Sequence, residues 1–142
     1  MKLRPLENQM TIAVDTEGRG RLTITLTGAA SAAAAGLGEY LNPEGVDLLI
    51  TRTYIYFTTG STGVANLDVG VAATGVKGTD ILSTFAVLAA TVSENAYNCQ
   101  AVAANETEEA VVWEDDEYLT FTGSATTAGM AAKLFVEYIR LT

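Results

Sequence analysis

The amino-acid sequence predicts an all-β domain, a β-sandwich or barrel with at most one short helix. Runs rich in β-branched and aromatic residues recur along the chain, and turn-forming clusters of glycine, proline, asparagine and aspartate separate them at fairly regular spacing. Apolar residues at helical spacing occur in a single segment. The 142 residues amount to about one domain, and a hydrophobic content of 49% is sufficient for one core.

The first ten residues differ from the rest because they show neither strand nor helix periodicity, and Pro5 removes a backbone donor. We therefore expect an extended N-terminal arm over residues 1–10, followed by a single β-sandwich domain over residues 11–142. The leucines of the arm would have no core of their own, which favours packing against a neighbouring subunit or another partner. The predicted partner-binding residues of the arm are Lys2, Leu3, Arg4 and Leu6.

Two strands and a turn are predicted in the first third of the domain. Residues 11–14 and 22–27 flank a turn-rich connector and are expected to form a hairpin, since residues 22–27 alternate apolar side chains with threonine. Asn-Pro-Glu-Gly at residues 42–45 is a turn. Residues 46–59 carry β-forming side chains on both faces, which predicts a central strand with each face covered.

The middle of the chain contains the least regular segments. The alanine-rich residues 28–38 are compatible with a helix, a loop or a closely packed strand, and the sequence leaves this open. Gly-Ser-Thr-Gly at residues 60–63 is interpreted as a hairpin turn, and residues 66–71 as a half-buried strand. Apolar residues at helical spacing over residues 79–92, behind a Thr or Asp cap, predict one short helix.

The last third is predicted to contain three strands separated by loops. The strands cover residues 97–104, 117–122 and 130–141, and the loops are the acidic segment after the first strand and the small residues 123–129. Along the closing strand Phe135 lies on an otherwise polar face. It is therefore a candidate subunit contact, and completes the predicted partner-binding set.

The residue types present leave little catalytic chemistry. The chain contains no histidine, so histidine-dependent triads and imidazole metal sites are not available. Cys99 is the only cysteine, which excludes an internal disulfide, and it is interpreted as a small buried apolar residue. We therefore expect a protein that is not an enzyme, with no catalytic residue, no cofactor and no metal site.

Two weaker chemical signals remain around the acidic segment. The carboxylates of residues 114–117 are ligands that Ca²⁺ or Mg²⁺ accepts, but they lack the spacing of an EF-hand loop, and cation binding stays an open question. Trp113 beside these acids is the one feature that supports a sugar-binding groove, against the alternative of a tryptophan at the edge of the core.

The charge is strongly acidic and unevenly distributed. A net charge of −9 argues against nucleic acid as a partner, because such binding requires cations that displace phosphate counterions. Four of the eight basic residues lie in the first 21 positions, and seven acids lie within residues 106–117. Two interpretations of this asymmetry remain: it orients neighbouring subunits against each other, or the acidic segment is a solvated loop that aids solubility.

No apolar run approaches the roughly 20 residues of a membrane span, and no secretory signal is visible. We therefore expect no membrane partner and synthesis in the cytoplasm.

Three segments together resemble small structural proteins of tailed bacteriophages that fold as a jelly-roll-like sandwich. They cover 32 of the 142 residues and are an aromatic strand with a small-residue turn and a Leu-Asp-Val-Gly strand (residues 54–72), a Thr-Gly-Ser-Ala loop after a strand (residues 118–125), and a closing strand (residues 135–139). The resemblance implies a capsid decoration or cement protein, commonly a homotrimer. It carries no functional residues over to this chain.

The leading hypothesis is therefore a decoration protein on the outer surface of a phage capsid, made in the host cytoplasm, whose partners are the major capsid protein and other copies of itself. The alternatives are another virion component, such as a head fibre base or a tail-associated host-binding module, and a small carbohydrate-binding domain or enzyme.

Overall fold

The computed structural model describes residues 18–100 and 110–141, which form two antiparallel sheets packed face to face. In chain order the elements are β1 (Arg19–Thr27), β2 (Gly38–Leu41), β3 (Leu48–Thr59), β4 (Asn66–Ala72), β5 (Leu82–Ala86), α1 (Ala89–Val92), β6 (Ala96–Asn98), β7 (Val111–Trp113), β8 (Tyr118–Gly123) and β9 (Ala131–Arg140).

The strands pair in a nested order. Sheet A runs β1-β9-β3-β6, with β7 on the same side of β3 as β6, and sheet B runs β2-β8-β4-β5. β6 pairs with residues 54–56 of β3 and β7 with residues 48–50, so the two form one interrupted edge strand. The first strand thus pairs with the last, β2 with β8, β3 with β6 and β7, and β4 with β5, which is the pairing of a jelly roll.

The predicted sandwich is confirmed, and the two sheets are not closed into the alternative barrel. The arm over residues 1–10, the first strand of the expected hairpin at residues 11–14, and residues 101–109 lie outside the described residues.

The core lies between the inner faces of the two sheets. Trp113, Phe57 and Leu119 are fully buried there, and Phe57 stacks on Phe85 with ring centroids 6.0 Å apart. Tyr97 meets the Phe85 ring edge-on at 5.0 Å, which ties β6 of sheet A to β5 of sheet B. These are the side chains whose burial holds the two layers together.

Several of the predicted strands are present with the expected faces. In β1 the threonines are exposed while Leu26 is buried. In β9 the inward side chains Leu134 and Val136 are fully buried, and Phe135 between them is 38% exposed. Alternation of apolar and polar residues therefore correctly identified the inner face of both strands.

The prediction for β3 is half right. The strand is central, between β9 on one side and β6 and β7 on the other. Residues 18–100 and 110–141 do not cover the second face, however, since Tyr56 on that face is 36% exposed. Apolar residues on both faces indicated two covered faces, whereas the second face of β3 belongs to an open surface.

The helix predicted over residues 79–92 is wrong except for its last turn, α1. Residues 82–86 instead form β5, and the ladder with β4 is irregular, since Leu67 faces Phe85 while Val69 faces Leu82. Thr84 adopts a positive φ of 52° at this bulge. The extra residue lets side chains three positions apart point to the same face, which imitates helical spacing.

Residues 60–63 are not a hairpin turn, because the chain passes there from β3 in sheet A to β4 in sheet B. The Ser61 N–H donates to the Val87 carbonyl at 2.7 Å, and the Ala89 N–H donates to the Ser61 carbonyl at 2.9 Å. These bonds fix the crossover against the segment before α1.

β4 is covered on both faces, whereas one exposed face was expected. Asp68, on its outward face, is 2% exposed, accepts a hydrogen bond from the Thr84 N–H at 2.8 Å and lies 3.6 Å from the Lys77 ammonium. The connection from β4 to β5 folds back over sheet B and places Gly78 against Gly70.

The conformation of residues 28–38 was left open by the sequence. They form an irregular loop with turns, and β2 begins at its end, at Gly38.

Candidate functional site

The outward side chains of sheet A form a face that the described residues leave open, and we call it the outer face. Its members come from three strands and lie side by side in the register of the sheet. They are Arg19, Arg21, Leu49, Arg52, Tyr54, Tyr56, Lys133, Phe135, Glu137 and Ile139.

Aromatic side chains occupy the middle of the outer face. Phe135 of β9 lies between Thr23 of β1 and Tyr54 of β3, and Tyr56 is opposite Lys133 in the next row. Phe135 is 38% and Tyr56 36% exposed. The structure thus places Phe135 on an exposed surface, and its role as a contact stays a prediction.

Three arginines line a depression beside the aromatic rows. Arg19 and Arg21 project from β1 and Arg52 from β3, around a cavity of about 580 Å³. The Arg52 Nε lies 4.0 Å from a carboxylate oxygen of Glu137, and its guanidinium carbon lies 5.8 Å from the centre of the Tyr54 ring. We call this the arginine pocket.

The outer face is basic although the chain is acidic. It carries four cations, including Lys133, against the single carboxylate of Glu137. Within residues 18–100 and 110–141, neither Arg19 nor Arg21 forms an ion pair within 4.0 Å. The positive charge of this face is therefore mostly uncompensated within the described part of the chain.

The turn between β7 and β8 has the opposite character. Glu114, Asp115, Asp116 and Glu117 follow one another there, and we call them the acidic turn. The Asp115 N–H donates to Asp47 at 3.1 Å, which brings a fifth carboxylate to the turn. Glu117 foremost, together with the other carboxylates nearby, raises the pKa of Glu114.

A buried amide holds the acidic turn in place. The side-chain nitrogen of Asn42 donates to the carbonyl oxygens of Val46, Trp113 and Glu114 at 2.9, 3.0 and 3.1 Å. Asn42 is only 5% exposed, so these bonds are shielded from water. The predicted turn at residues 42–45 is confirmed, and its asparagine also anchors a second turn distant in sequence.

Trp113 is a core residue. It is fully buried, and its indole N–H donates to the Glu117 carbonyl at 2.9 Å. The sugar-binding interpretation of Trp113 is therefore wrong, since its ring has no face open to a ligand.

Over residues 18–100 and 110–141, no group of three acidic or cysteine side chains is arranged to hold a metal ion.

Cys99 is buried as expected. Burial raises the pKa of the thiol to about 11, although a hydrogen bond with Thr53 acts in the opposite direction. A thiol with this pKa is almost entirely protonated at neutral pH, which makes it a poor nucleophile.

Sequence reasoning found one residue of the outer face, Phe135, and missed its neighbours. Tyr54 and Tyr56 were assigned to a covered strand, and Arg52 was not singled out. The arm residues Lys2, Leu3, Arg4 and Leu6 lie outside the described residues. The register that unites residues 19–21, 52–54 and 135–137 is a property of the fold, so it is not visible along the chain.

No model of a known protein family matches this chain, and no curated protein sequence matches it significantly. In the part of the chain that the structure describes, no helix is long and apolar enough to cross a membrane.

Proposed function

We propose that this protein is a non-enzymatic virion component, a decoration or cement protein that binds the outer surface of a phage capsid through protein–protein contacts. It is made in the host cytoplasm and assembles with the major capsid protein and with other copies of itself. The observation that carries the proposal is the outer face of sheet A, where the partly exposed ring of Tyr56 lies in the same row of the sheet as Lys133 and that of Phe135 lies in the row next to Arg52.

The jelly-roll fold is compatible with this function but does not distinguish it from others, since viral capsid proteins, lectins and cupins share the architecture. The outer face provides the more specific support. Aromatic and arginine side chains are enriched in protein–protein interfaces, and lysine-rich solvated surfaces are not. The burial of Trp113 removes the feature on which the carbohydrate-binding alternative depended.

The size of the face fits one partner in a multivalent assembly. Three strands about 4.8 Å apart and about ten residues long give roughly 500 Å² of flat surface. A stable interface buries about 800 Å² per partner. The outer face alone therefore gives a modest contact, and tight attachment requires further contacts, for which we propose the arm residues Lys2, Leu3, Arg4 and Leu6 and neighbouring copies.

The test is co-sedimentation of the full chain with capsids that lack it. Tyr54→Ser combined with Phe135→Ser should weaken binding by at least about tenfold, because it removes the aromatic centre of the contact. The thermal unfolding midpoint of this variant should stay close to that of the wild type, since both side chains are outside the core. The matched control is Val64→Ser, which alters an 82% exposed apolar residue in the β3–β4 crossover and should leave binding unchanged. Equal binding by the double variant and the wild type would contradict the proposal.

Deletion of residues 2–10 tests the arm separately. We expect a folded domain with greatly reduced capsid binding, because Leu3, Leu6 and the adjacent cations would no longer reach the partner. Full occupancy of capsids by the truncated protein would show that the arm is not a contact.

A further inference from the structure

We propose that copies of this protein join edge to edge, with the acidic turn of one copy bound against the arginine pocket of the next. This inference rests on the proposed function for its biological setting and identifies the contact between copies of the homotrimer that the resemblance implies. It concerns the free protein as well as the capsid-bound one.

The two surfaces lie at opposite edges of the same sheet. Arg19 of β1 pairs with Ile139, Ile139 with Leu49, and Leu49 with Val112 of β7, so one row crosses the sheet from edge to edge. The acidic turn begins two residues after Val112. Three strand spacings of about 4.8 Å separate the edges by about 14 Å. Arg19 and Arg21 therefore lie on one edge strand and the acidic turn follows the other, while Arg52 of β3 extends the arginine pocket across the outer face.

Their charges are complementary, and within residues 18–100 and 110–141 most of them have no ion-pair partner. In the described part of the chain, none of the carboxylates of the acidic turn forms an ion pair, and the same holds for Arg19 and Arg21. Repulsion among the crowded carboxylates, chiefly from Glu117, raises the pKa of Glu114, and a neighbouring guanidinium would relieve it. Arginine binds carboxylates in a fixed planar geometry, which favours it at such contacts.

Apolar side chains flank both surfaces. Val112 is 47% and Leu141 49% exposed close to the acidic turn, and Ile139 lines the arginine pocket. Contact between two copies would bury part of this apolar surface along with the ion pairs. This matters because exposed ion pairs alone contribute little and are screened by salt.

A contact between two different surfaces is heterologous, so repeated copies form a closed ring or an open filament. Three copies closing into a ring agree with the proposed trimer. The aromatic rows lie beside the arginine pocket along the strands and do not line it, so we expect them to stay available to the capsid in such a ring.

Analytical ultracentrifugation of the full chain, without capsids, tests the contact. We expect a concentration-dependent trimer at about 0.05 M salt that dissociates as salt rises to about 0.5 M, where screening is strong. Two variants reverse one surface each. They are Arg19→Glu with Arg21→Glu, and Asp115→Arg with Asp116→Arg. Each should be monomeric alone. An equimolar mixture of the two should form mixed pairs or larger even-numbered assemblies and no trimer, since complementary contacts require the two variants to alternate and two species cannot alternate in a ring of three.

The acidic-turn variant separates this contact from a general effect of net charge. Reversing two acids lowers the magnitude of the net charge, so general repulsion would predict stronger association, whereas the proposed contact predicts weaker association. Lys133→Glu is the control, because it changes a cation of the outer face outside the arginine pocket and should leave the trimer intact.

Three results would overturn the inference. They are a wild type that stays monomeric, an acidic-turn variant that associates as well as the wild type, and a mixture that associates no better than its components. Capsid co-sedimentation of the same variants keeps the two proposals apart. If the wild type is monomeric and the charge reversal of Arg19 and Arg21 abolishes its capsid binding, the arginine pocket is a capsid contact. If the wild type forms trimers that do not bind capsids, only the proposed function is contradicted.

Discussion

At the scale of the residue, the amide of Asn42 links the β2–β3 turn to the acidic turn. Asn42→Ala leaves the carbonyls of Val46, Trp113 and Glu114 without this donor, and we expect a loss of about 2 to 3 kcal/mol in the free energy of unfolding. Urea denaturation measures it. Asn42→Asp should be worse, since a carboxylate would face the same carbonyl oxygens. Unchanged unfolding midpoints for both variants would show that the amide does not hold the turns.

The carboxyl of Asp80 leads to a prediction about how the stability of the fold depends on pH. Burial raises the pKa of its carboxyl, against the opposing effect of the hydrogen bond from the Val71 N–H at 2.8 Å. The folded state therefore binds this proton more tightly than the unfolded chain does. The resulting stabilisation is fully present below the unfolded-state pKa and is lost as the pH rises through the folded-state pKa.

Asp80→Asn keeps an acceptor for the Val71 N–H and removes the titration. The stability of the variant relative to the wild type should increase as the pH rises from the acid range towards neutrality, since only the wild type then loses the proton that burial favours. Thermal unfolding across this range measures the difference. A difference that does not vary with pH would contradict the assignment.

At the scale of the element, the β4–β5 connection depends on the absence of side chains at its closest approach to sheet B. A Cβ added to Gly78 would lie 2.5 Å from the carbonyl carbon of Gly70, which is backbone and cannot move aside. Gly78→Ala should therefore destabilise the fold by at least about 2 kcal/mol. Gly63→Ala is the matched control, because no atom lies within 4 Å of its added Cβ, and it should stay within about 0.5 kcal/mol of the wild type. Equal denaturation midpoints for the two variants would mean that the connection is not packed as described.

The elements also show which parts of the fold are readable from the sequence. β1 and β9 alternate between buried and more exposed residues, and their positions were predictable from that period. β5 was mistaken for a helix because its bulge spaces inward residues by three. β2 and β7 were missed, since strands of four and three residues hold too few positions for a period to emerge.

At the scale of the whole molecule, the outer face depends on register more than on any single segment. Phe135 was predictable because one apolar residue interrupts a polar face. The arginine pocket was not, since Arg19 and Arg21 of β1 meet Arg52 of β3 only through the intervening β9. The asymmetry of charge was visible in the sequence, and the fold turns it into two surfaces at opposite edges of sheet A.

The division of surfaces defines the expected arrangement on a capsid. Under the two proposals, we expect the aromatic rows of the outer face to contact the shell and the edge strands to contact neighbouring copies. The net charge of −9 would keep free copies apart before assembly.

Electron cryomicroscopy of capsids saturated with the protein tests the central claim most directly. The account predicts density for the sandwich on the outside of the shell, with sheet A against the capsid and Tyr54 and Phe135 at the contact. Density with sheet A turned towards solvent, or saturated preparations with no density on the shell, would contradict it.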